Sequence, residues 1–353
     1  MIDAGIVRVV VQDARRRRGM RDVAAAAGVS VSTVANVLNN PAVVAEATRS
    51  RVEAAMDAIG FVRSAAARQL RGLPSRLVGS ITLDQSNPFY AELNRGIEDH
   101  LDEAGCMLLA CSTDLSPDKE LRALRLLEEQ SPRGVIITPT GEQPQRLTAV
   151  SSRGTPVVLL DARQAGTDLC AVAVDHELGG RLAGEHLIGL GHRRIAFVTA
   201  GPDIEPVRQR RDGLAAASRG RDRRQERAAD LVELRMAPAG FAEGTDAVIS
   251  AMLDRADPPT AAVCVNDVVA LALIRGLEAR GLRVPGDLSV VGYDDLPFAA
   301  HVRPALTTIA RPIRELGRVA AELLLSEDAA GHRHQELVFR PRLVVRSTTG
   351  PIG

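Results

Sequence analysis

The sequence predicts a small all-α head, a hinge helix and a large two-lobed α/β body, and three observations carry that prediction. Between Met20 and Gly72, helix-stopping and helix-capping residues divide the chain into short amphipathic segments. From Arg76 onward, apolar runs alternate with amphipathic stretches roughly every 25 residues. Charge is also segregated. Residues 1–76 hold twelve Arg against six Asp or Glu, whereas the rest of the chain holds 32 basic and 38 acidic residues. A neutral total therefore conceals a basic head on an acidic body, as expected when only one end meets a polyanion.

Within the head, Arg21–Ala27 forms an Ala-rich helix that breaks at Gly28, the turn position of a helix-turn-helix. Ser30 is placed to cap a second helix, Val31–Asn39. Val34, Val37 and Leu38 make its inward stripe, leaving Val31, Ser32, Thr33, Ala35 and Asn36 on other faces. Pro41 stops it. A third helix follows at Glu46–Ile59, where Val52, Ala55, Met56 and Ile59 recur at helical spacing. Spacing alone also suits an Ala-rich bundle with no nucleic-acid role; the basic charge of this end favours DNA. The preceding residues 1–18 include Arg15–Arg18, and an unstructured extension is preferred over a basic arm touching phosphates.

In the body, the apolar runs Leu77–Leu83, Met107–Ala110, Val135–Ile137, Val157–Leu160, Ala171–Val174, Ile195–Val198, Ala261–Val265 and Leu288–Val291 alternate with helical patterns such as Phe89–Glu103. This βα rhythm implies parallel sheets covered by helices. Ligands of such sheets sit beyond the carboxyl ends of the strands. The runs are followed there by Asp84, Thr138, Asp161, Asp175, Gly201, Asn266 with Asp267, and Asp294 with Asp295. Each acid alone suits a helix cap; their shared position suits hydrogen bonding to a hydroxylated molecule such as a sugar.

Other classes are disfavoured. No apolar run reaches about 18 residues, so no membrane span is expected, and arginines follow the apolar Ile6–Val11 where a secretory signal would carry small residues. Cys106, Cys111, Cys170 and Cys264 lie in or beside strand-like runs without a CxxC pair, which reads as reduced cysteines of a cytoplasmic protein. His332 and His334 resemble metal ligands by type, but a charged turn makes solvated side chains the better reading, so neither metal nor cofactor is expected. His192 is read as structural. No phosphate loop or nucleophile elbow supports an enzyme, and Gly179-Gly180-x-x-x-Gly184 lacks dinucleotide spacing.

The motifs D-V-A-x-x-A-G-V-S-x-x-T-V (Asp22 to Val34), V-L-N (Val37–Asn39), T-R-x-R-V (Thr48–Val52) and A-R-x-L (Ala67–Leu70) resemble the lactose-repressor (LacI/GalR) family of bacterial transcription regulators. Further matches are V-D-x-x-x-G-G (Val174–Gly180), A-G-E-H-L…G-H-R-R-I-A (Ala183–Ala196), Asn266–Asp267, G-L-R-V-P-G-D-L-S-V-V-G-Y-D-D (Gly281–Asp295) and P-A-L-T-T-I (Pro304–Ile309). The likeness runs to Thr348 and implies a periplasmic-binding-protein-like, two-lobed effector domain behind the head.

The resemblance implies roles. Val31, Ser32 and Asn36 would face base edges in the major groove, and Ser30, Thr33 and Thr48 would bind phosphates. Leu70 of the hinge would wedge into the minor groove, with Arg71 beside it. Ala35 and Asn36 stand where relatives commonly carry Ser and Arg, so operator preference does not transfer. Ala45 replaces a usual Ser cap, a loss of about 1 kcal/mol. Arg210, Asn266 and Asp294 would line the effector site, with Asp84, Phe89 and Asp161 weaker candidates from the other lobe. Arg235 stands where many relatives stack an aromatic residue, leaving open an acidic or phosphorylated ligand.

The resulting division is 1–18 extension, 19–62 head, 63–75 hinge helix and linker, and 76–350 body. The lobes are expected at 76–173 plus 309–335, and 174–308 plus 336–350. The expected activity is a homodimeric repressor that binds a pseudo-palindromic DNA operator and is switched by a small molecule, first of all a carbohydrate. The alternatives are a sugar-binding protein without regulatory role and an effector that is a nucleobase or an acidic or phosphorylated metabolite.

Overall fold

Gly28 adopts φ 65°, a left-handed conformation that costs a glycine little, and so ends the first helix. The structure, a computed structural model, describes residues 18–62, 74–141, 144–163, 166–219, 229–236, 241–327, 329 and 331–352. The hinge residues Leu70 and Arg71, and the N-terminal arm, lie outside the described residues. The chain forms two compact units, Met1–Pro74 and Ser75–Gly353.

The head contains α1 (Met20–Ala27), α2 (Val31–Asn39), a 3-10 turn at Pro41–Val43, and α3 (Glu46–Ile59). Asp22 accepts a hydrogen bond from the Gly19 N–H at 2.7 Å, and Ser30 Oγ accepts one from the Thr33 N–H at 3.1 Å. Each cap satisfies an otherwise orphaned amide at a helix start. Ala45 gives α3 no such side-chain bond. Val23, Ala24, Ala27, Val34, Val37, Val52 and Ala55 close the core. A buried valine there contributes about 1.5–3 kcal/mol, so the head rests on a handful of side chains.

Among the described residues the body holds two six-stranded sheets. The first has the order β11 (Glu336–Phe339), β5 (Cys170–Val174), β4 (Val157–Leu160), β3 (Gly134–Ile137), β1 (Leu77–Thr82) and β2 (Met107–Ser112), all parallel. Around it lie α4 (Pro88–Glu103), α5 (Pro117–Glu129), α6 (Pro144–Ser152) and α11 (Ile313–Ser326). The second has the order β12 (Arg342–Val344), β10 (Thr307–Ala310), β9 (Ser289–Asp294), β8 (Ala261–Cys264), β6 (Arg194–Ala200) and β7 (Asp230–Met236). Only β12 is antiparallel. Its helices are α7 (His176–Gly189), α8 (Glu205–Arg219), α9 (Phe241–Leu253) and α10 (Asp267–Ala279).

The lobe boundaries depart from expectation. β11 pairs with β5 in register Glu336↔Ala171, so residues 336–339 complete the first lobe rather than the second. β10 pairs with β9, which keeps 309 and 310 in the second lobe. The chain therefore crosses between lobes three times: after Val174, after Ala310, and between Phe339 and Arg342. The short, half-exposed β11 carries only the three apolar residues Leu337–Phe339, too little to assign it to a sheet.

The glycine cluster at Gly179–Gly184 has a packing purpose. A Cβ on Gly180 would lie 1.9 Å from the Arg210 carbonyl, and one on Gly213 would lie 1.9 Å from the Glu177 carbonyl. Helices α7 and α8 thus touch backbone to backbone, and that close approach fixes where Arg210 emerges.

Candidate functional site

The head presents α2 as an exposed surface. Val31 is 40% exposed, and Ser32 and Asn36 are also exposed, whereas Val34 and Val37 are buried beneath them. Ser30 Oγ lies 2.7 Å from Ser32 Oγ and 2.8 Å from Thr33 Oγ1, so three hydroxyls cluster at the N-terminus of the helix. That end carries the positive pole of the helix dipole and free amides, which suits a phosphate. Thr48 is half-buried in the first turn of α3. The described residues expected to contact DNA, Ser30 to Thr33, Asn36 and Thr48, therefore lie on an exposed helix face or at a helix start.

In the body, the carboxyl ends of the strands from both sheets border a cavity of 480 Å³. Asp84, Phe89, Asp161, Arg210, Asn266 and Asp294 all line it. So do Tyr90 and Arg311, which sequence reasoning missed. A neighbouring cavity of 660 Å³ shares Thr138, Asp161 and Ile204 with it. Arg235 does not join the group. It is exposed on the edge strand β7, opposite Thr199, and lines neither cavity.

Register explains the convergence. Ala310 pairs with Asp294, so the next residue, Arg311, leaves β10 beside that carboxylate as the chain turns to the other lobe. Arg311 Nη1 lies 2.7 Å from Asp161 Oδ2, at the end of β4, and Arg311 Nη2 lies 2.8 Å from Asp294 Oδ1, at the end of β9. One guanidinium thus ties the two sheets together and stacks 3.7 Å from the Phe89 ring centroid. Asp161 (φ 53°) and Asp294 (φ 118°) both take left-handed conformations. Such strain costs about 1–3 kcal/mol per residue and gathers at functional positions.

His176 opens α7 directly after the first crossing. Its Nε2–H donates to Asp161 Oδ1 at 2.9 Å, while Nδ1 accepts from Arg210 Nε at 3.2 Å and faces the Tyr293 hydroxyl at 3.0 Å. Arg210 Nη1 also donates to the Val265 carbonyl at 2.6 Å, and its guanidinium lies 3.8 Å from the Tyr293 ring centroid. These contacts fix the neutral Nε2–H tautomer. Burial lowers the His176 pKa to about 4 against the pull of Asp161. Burial alone would raise Asp161, but Arg311, His176 and Arg210 hold it well below the usual carboxylate range. Asp294 moves the other way, raised by burial despite Arg311. The Tyr293 hydroxyl is pushed up to about 12 by burial. Of the two acids sharing Arg311, Asp161 is the firmer anion.

Asn266 stands apart from this network. It caps α10, its Oδ1 accepting from the Val269 N–H at 2.8 Å, and its half-buried side chain reaches the cavity wall. Asp84 Oδ1 accepts from the Ser86 amide at 2.9 Å and hydroxyl at 2.6 Å. Thr138 Oγ1 is buried in the wall with no hydrogen-bond partner among the described residues. His192 is structural as expected, bridging Thr260 Oγ1 at 2.9 Å and the Gly350 carbonyl at 3.0 Å. His332 and His334 are not the solvated pair expected. Both pack against Cys170 and Glu327, because the turn carrying them folds back onto the start of β5.

Residues 19–64 match the family described as bacterial regulatory proteins, lacI family, and residues 184–349 match a periplasmic binding protein-like domain. An HTH-type transcriptional repressor PurR from Aliivibrio salmonicida is 34% identical over 339 residues, covering 93% of this chain and 98% of that protein. The lac repressor dimer bound to operator and the anti-inducer ONPF is 30% identical with a TM-score of 0.76, covering 95% of this chain and all of that one. A regulator from Enterococcus faecium with bound ribose is 32% identical with a TM-score of 0.70, covering 78% of this chain and all of that one. Helical head, two-sheet body and relatives matched along nearly the whole chain agree: the chain belongs to the lacI family of bacterial transcription regulators, as a DNA-binding repressor with an effector-binding domain.

Proposed function

We propose that a neutral, polyhydroxylated small molecule of the sugar class binds between the lobes and changes the affinity of the head for a pseudo-palindromic operator. The observation that carries this reading is the make-up of the 480 Å³ cavity. Apolar Phe89 and Tyr90 lie beside Asp84, Asp161, Asp294, Asn266, Arg210 and Arg311, with the Thr138 hydroxyl, unpartnered among the described residues, in the same wall. Carboxylates and amides accept from and donate to hydroxyl groups, while the aromatic side chains supply an apolar wall for the carbon skeleton of a sugar. Three carboxylates against two guanidiniums leave no cationic excess for a phosphate. Arg235, the residue that suggested an acidic ligand, lies outside the cavity. The ribose-bound regulator from Enterococcus faecium points to the same ligand class.

On the DNA side, Val31, Ser32 and Asn36 would read base edges, Ser30, Thr33 and Thr48 would hold phosphates, and Leu70 with Arg71 would engage the minor groove. One such head makes too few base contacts for tight specific binding, so a homodimer would supply the second half-site. Met107 and Leu109 on the edge strand β2 are 67% and 43% exposed, an apolar edge suited to a second copy. Acting on chromosomal DNA, the protein would work in the cytoplasm and without catalysis.

Selecting DNA fragments retained by the full-length protein would supply the operator. Titrating that complex with neutral sugars, sugar phosphates and nucleobases tests the ligand class. Release or tightening by a neutral sugar alone supports the reading; response only to a phosphorylated compound or a nucleobase overturns it.

A further inference from the structure

The first lobe carries a second cluster of ligating groups, at the end of its sheet remote from the cleft. Cys170 begins β5, Glu327 follows the last turn of α11, and His332 and His334 lie on the turn into β11. Their donor atoms all fall within 4.8 Å of one another. Cys170 Sγ lies 3.2 Å from His332 Nε2 and 3.8 Å from His334 Nδ1. Glu327 Oε1 lies 3.4 Å from each of the same two ring nitrogens. That carboxylate oxygen is fully buried, on a side chain only 10% exposed, with the Cys170 thiol and the two ring nitrogens as its polar neighbours among the described residues.

We infer that Cys170, Glu327, His332 and His334 form a tetrahedral binding site for a divalent transition metal, best suited to Zn²⁺. With Zn–S near 2.3 Å and Zn–N or Zn–O near 2.0 Å, tetrahedral angles place sulfur about 3.5 Å from nitrogen and oxygen about 3.3 Å from nitrogen. Four of the six separations, 3.2 and 3.8 Å and 3.4 Å twice, lie close to those values, and the other two are within 4.8 Å, a gap that side-chain rotation on binding closes. Thiolate and imidazole donors select zinc or cobalt over magnesium or calcium. Ser326 Oγ, 3.4 Å from His332 Nδ1, is positioned to fix the ring with Nε2 toward the cluster, as hydrogen-bonding partners behind metal ligands do. Binding releases the thiol proton of Cys170.

Four protein ligands leave no open position, so the site is structural rather than catalytic. It clips the end of α11 and the turn before β11 to the start of β5. The helix and the turn follow the crossing at Arg311 and β5 belongs to the same sheet, so the metal stiffens one lobe without entering the effector cleft.

The experiment titrates tag-free, full-length protein with Co²⁺ as the probe. Expected are the intense visible bands of tetrahedral cobalt and a near-ultraviolet thiolate-to-cobalt band, saturating at one ion per chain and displaced by Zn²⁺. Cys170→Ser should remove the thiolate band. His334→Gln, at a partly exposed position, should weaken binding at least tenfold while leaving the far-ultraviolet circular dichroism unchanged. The absence of a tetrahedral spectrum in the wild type overturns the site. So does persistence of the thiolate band in Cys170→Ser, or wild-type affinity in His334→Gln.

Discussion

Arg311 lies 2.7 Å from Asp161, although 150 positions separate them in the chain and they belong to strands of different sheets at their origin. Both side chains are nearly buried, and Asp294 completes the cluster from the second sheet. Replacing Arg311 by Met leaves two buried carboxylates without their cation, a change that typically costs about 3–5 kcal/mol. Urea unfolding of the full-length chain at neutral pH should show a loss of that order. A loss below about 1 kcal/mol would mean that the bridge contributes little to joining the lobes.

His176 gives a pH signature. Its folded pKa, lowered to about 4, lies below the roughly 6.5 of an unfolded histidine. Between those values the unfolded chain binds a proton that the native one refuses. Stability from this residue is therefore full above about pH 6.5 and falls as the pH drops toward 4, by at most about 1.4 kcal/mol per unit, roughly 3 kcal/mol in all. His176→Gln should remove that slope relative to wild type. Parallel stability curves for the two proteins between pH 4 and 6.5 would contradict the buried neutral imidazole.

The turn of the head depends on a left-handed residue. Gly28 has φ 65° and open space around its Cα, so Gly28→Ala meets no atom but takes an unfavourable backbone conformation. The cost should be about 1 kcal/mol. Hydrogen exchange of the head amides should quicken about fivefold, with body amides unchanged; unaltered exchange in the head would count against the turn assignment.

Asn36 offers a test of base reading. On an exposed face of α2 it can pair with an adenine edge. Asn36→Ala should relax discrimination at one base pair per half-site by about 1–3 kcal/mol and leave the salt dependence of binding unchanged, because no phosphate contact is lost. Selection of the same operator sequence by the variant, with equal stringency, would remove Asn36 from the reading surface.

Much of the fold is legible in the sequence because the signals are local. Ser30 and Pro41 set the bounds of α2, and the bounds Val31–Asn39 and Glu46–Ile59 follow from caps and spacing alone. The apolar strands announce themselves as continuous buried runs, and the polar residues at their ends mark the cleft. Edge strands are harder. β7 and β11 are half-exposed, so their side chains show neither a long apolar run nor strict alternation. Arg311, His176 and Tyr293 escape because their partners lie far away in sequence; His176 and Tyr293 alone are 117 positions apart. The cluster around Cys170 escapes for the same reason, its histidines lying 162 and 164 positions from the thiol.

On the proposed function, the cleft and not the head holds the effector. Arg210 and Asp294 line the cleft from α8 and β9, and loss of a charged hydrogen-bonding group typically weakens binding about ten- to a hundredfold. Titration calorimetry with the sugar that alters operator binding, on wild type, Arg210→Ala and Asp294→Ala, measures this directly. The expected result is that weakening in both variants, with operator affinity in the absence of sugar retained. Wild-type affinity for the sugar in both variants would place the effector elsewhere.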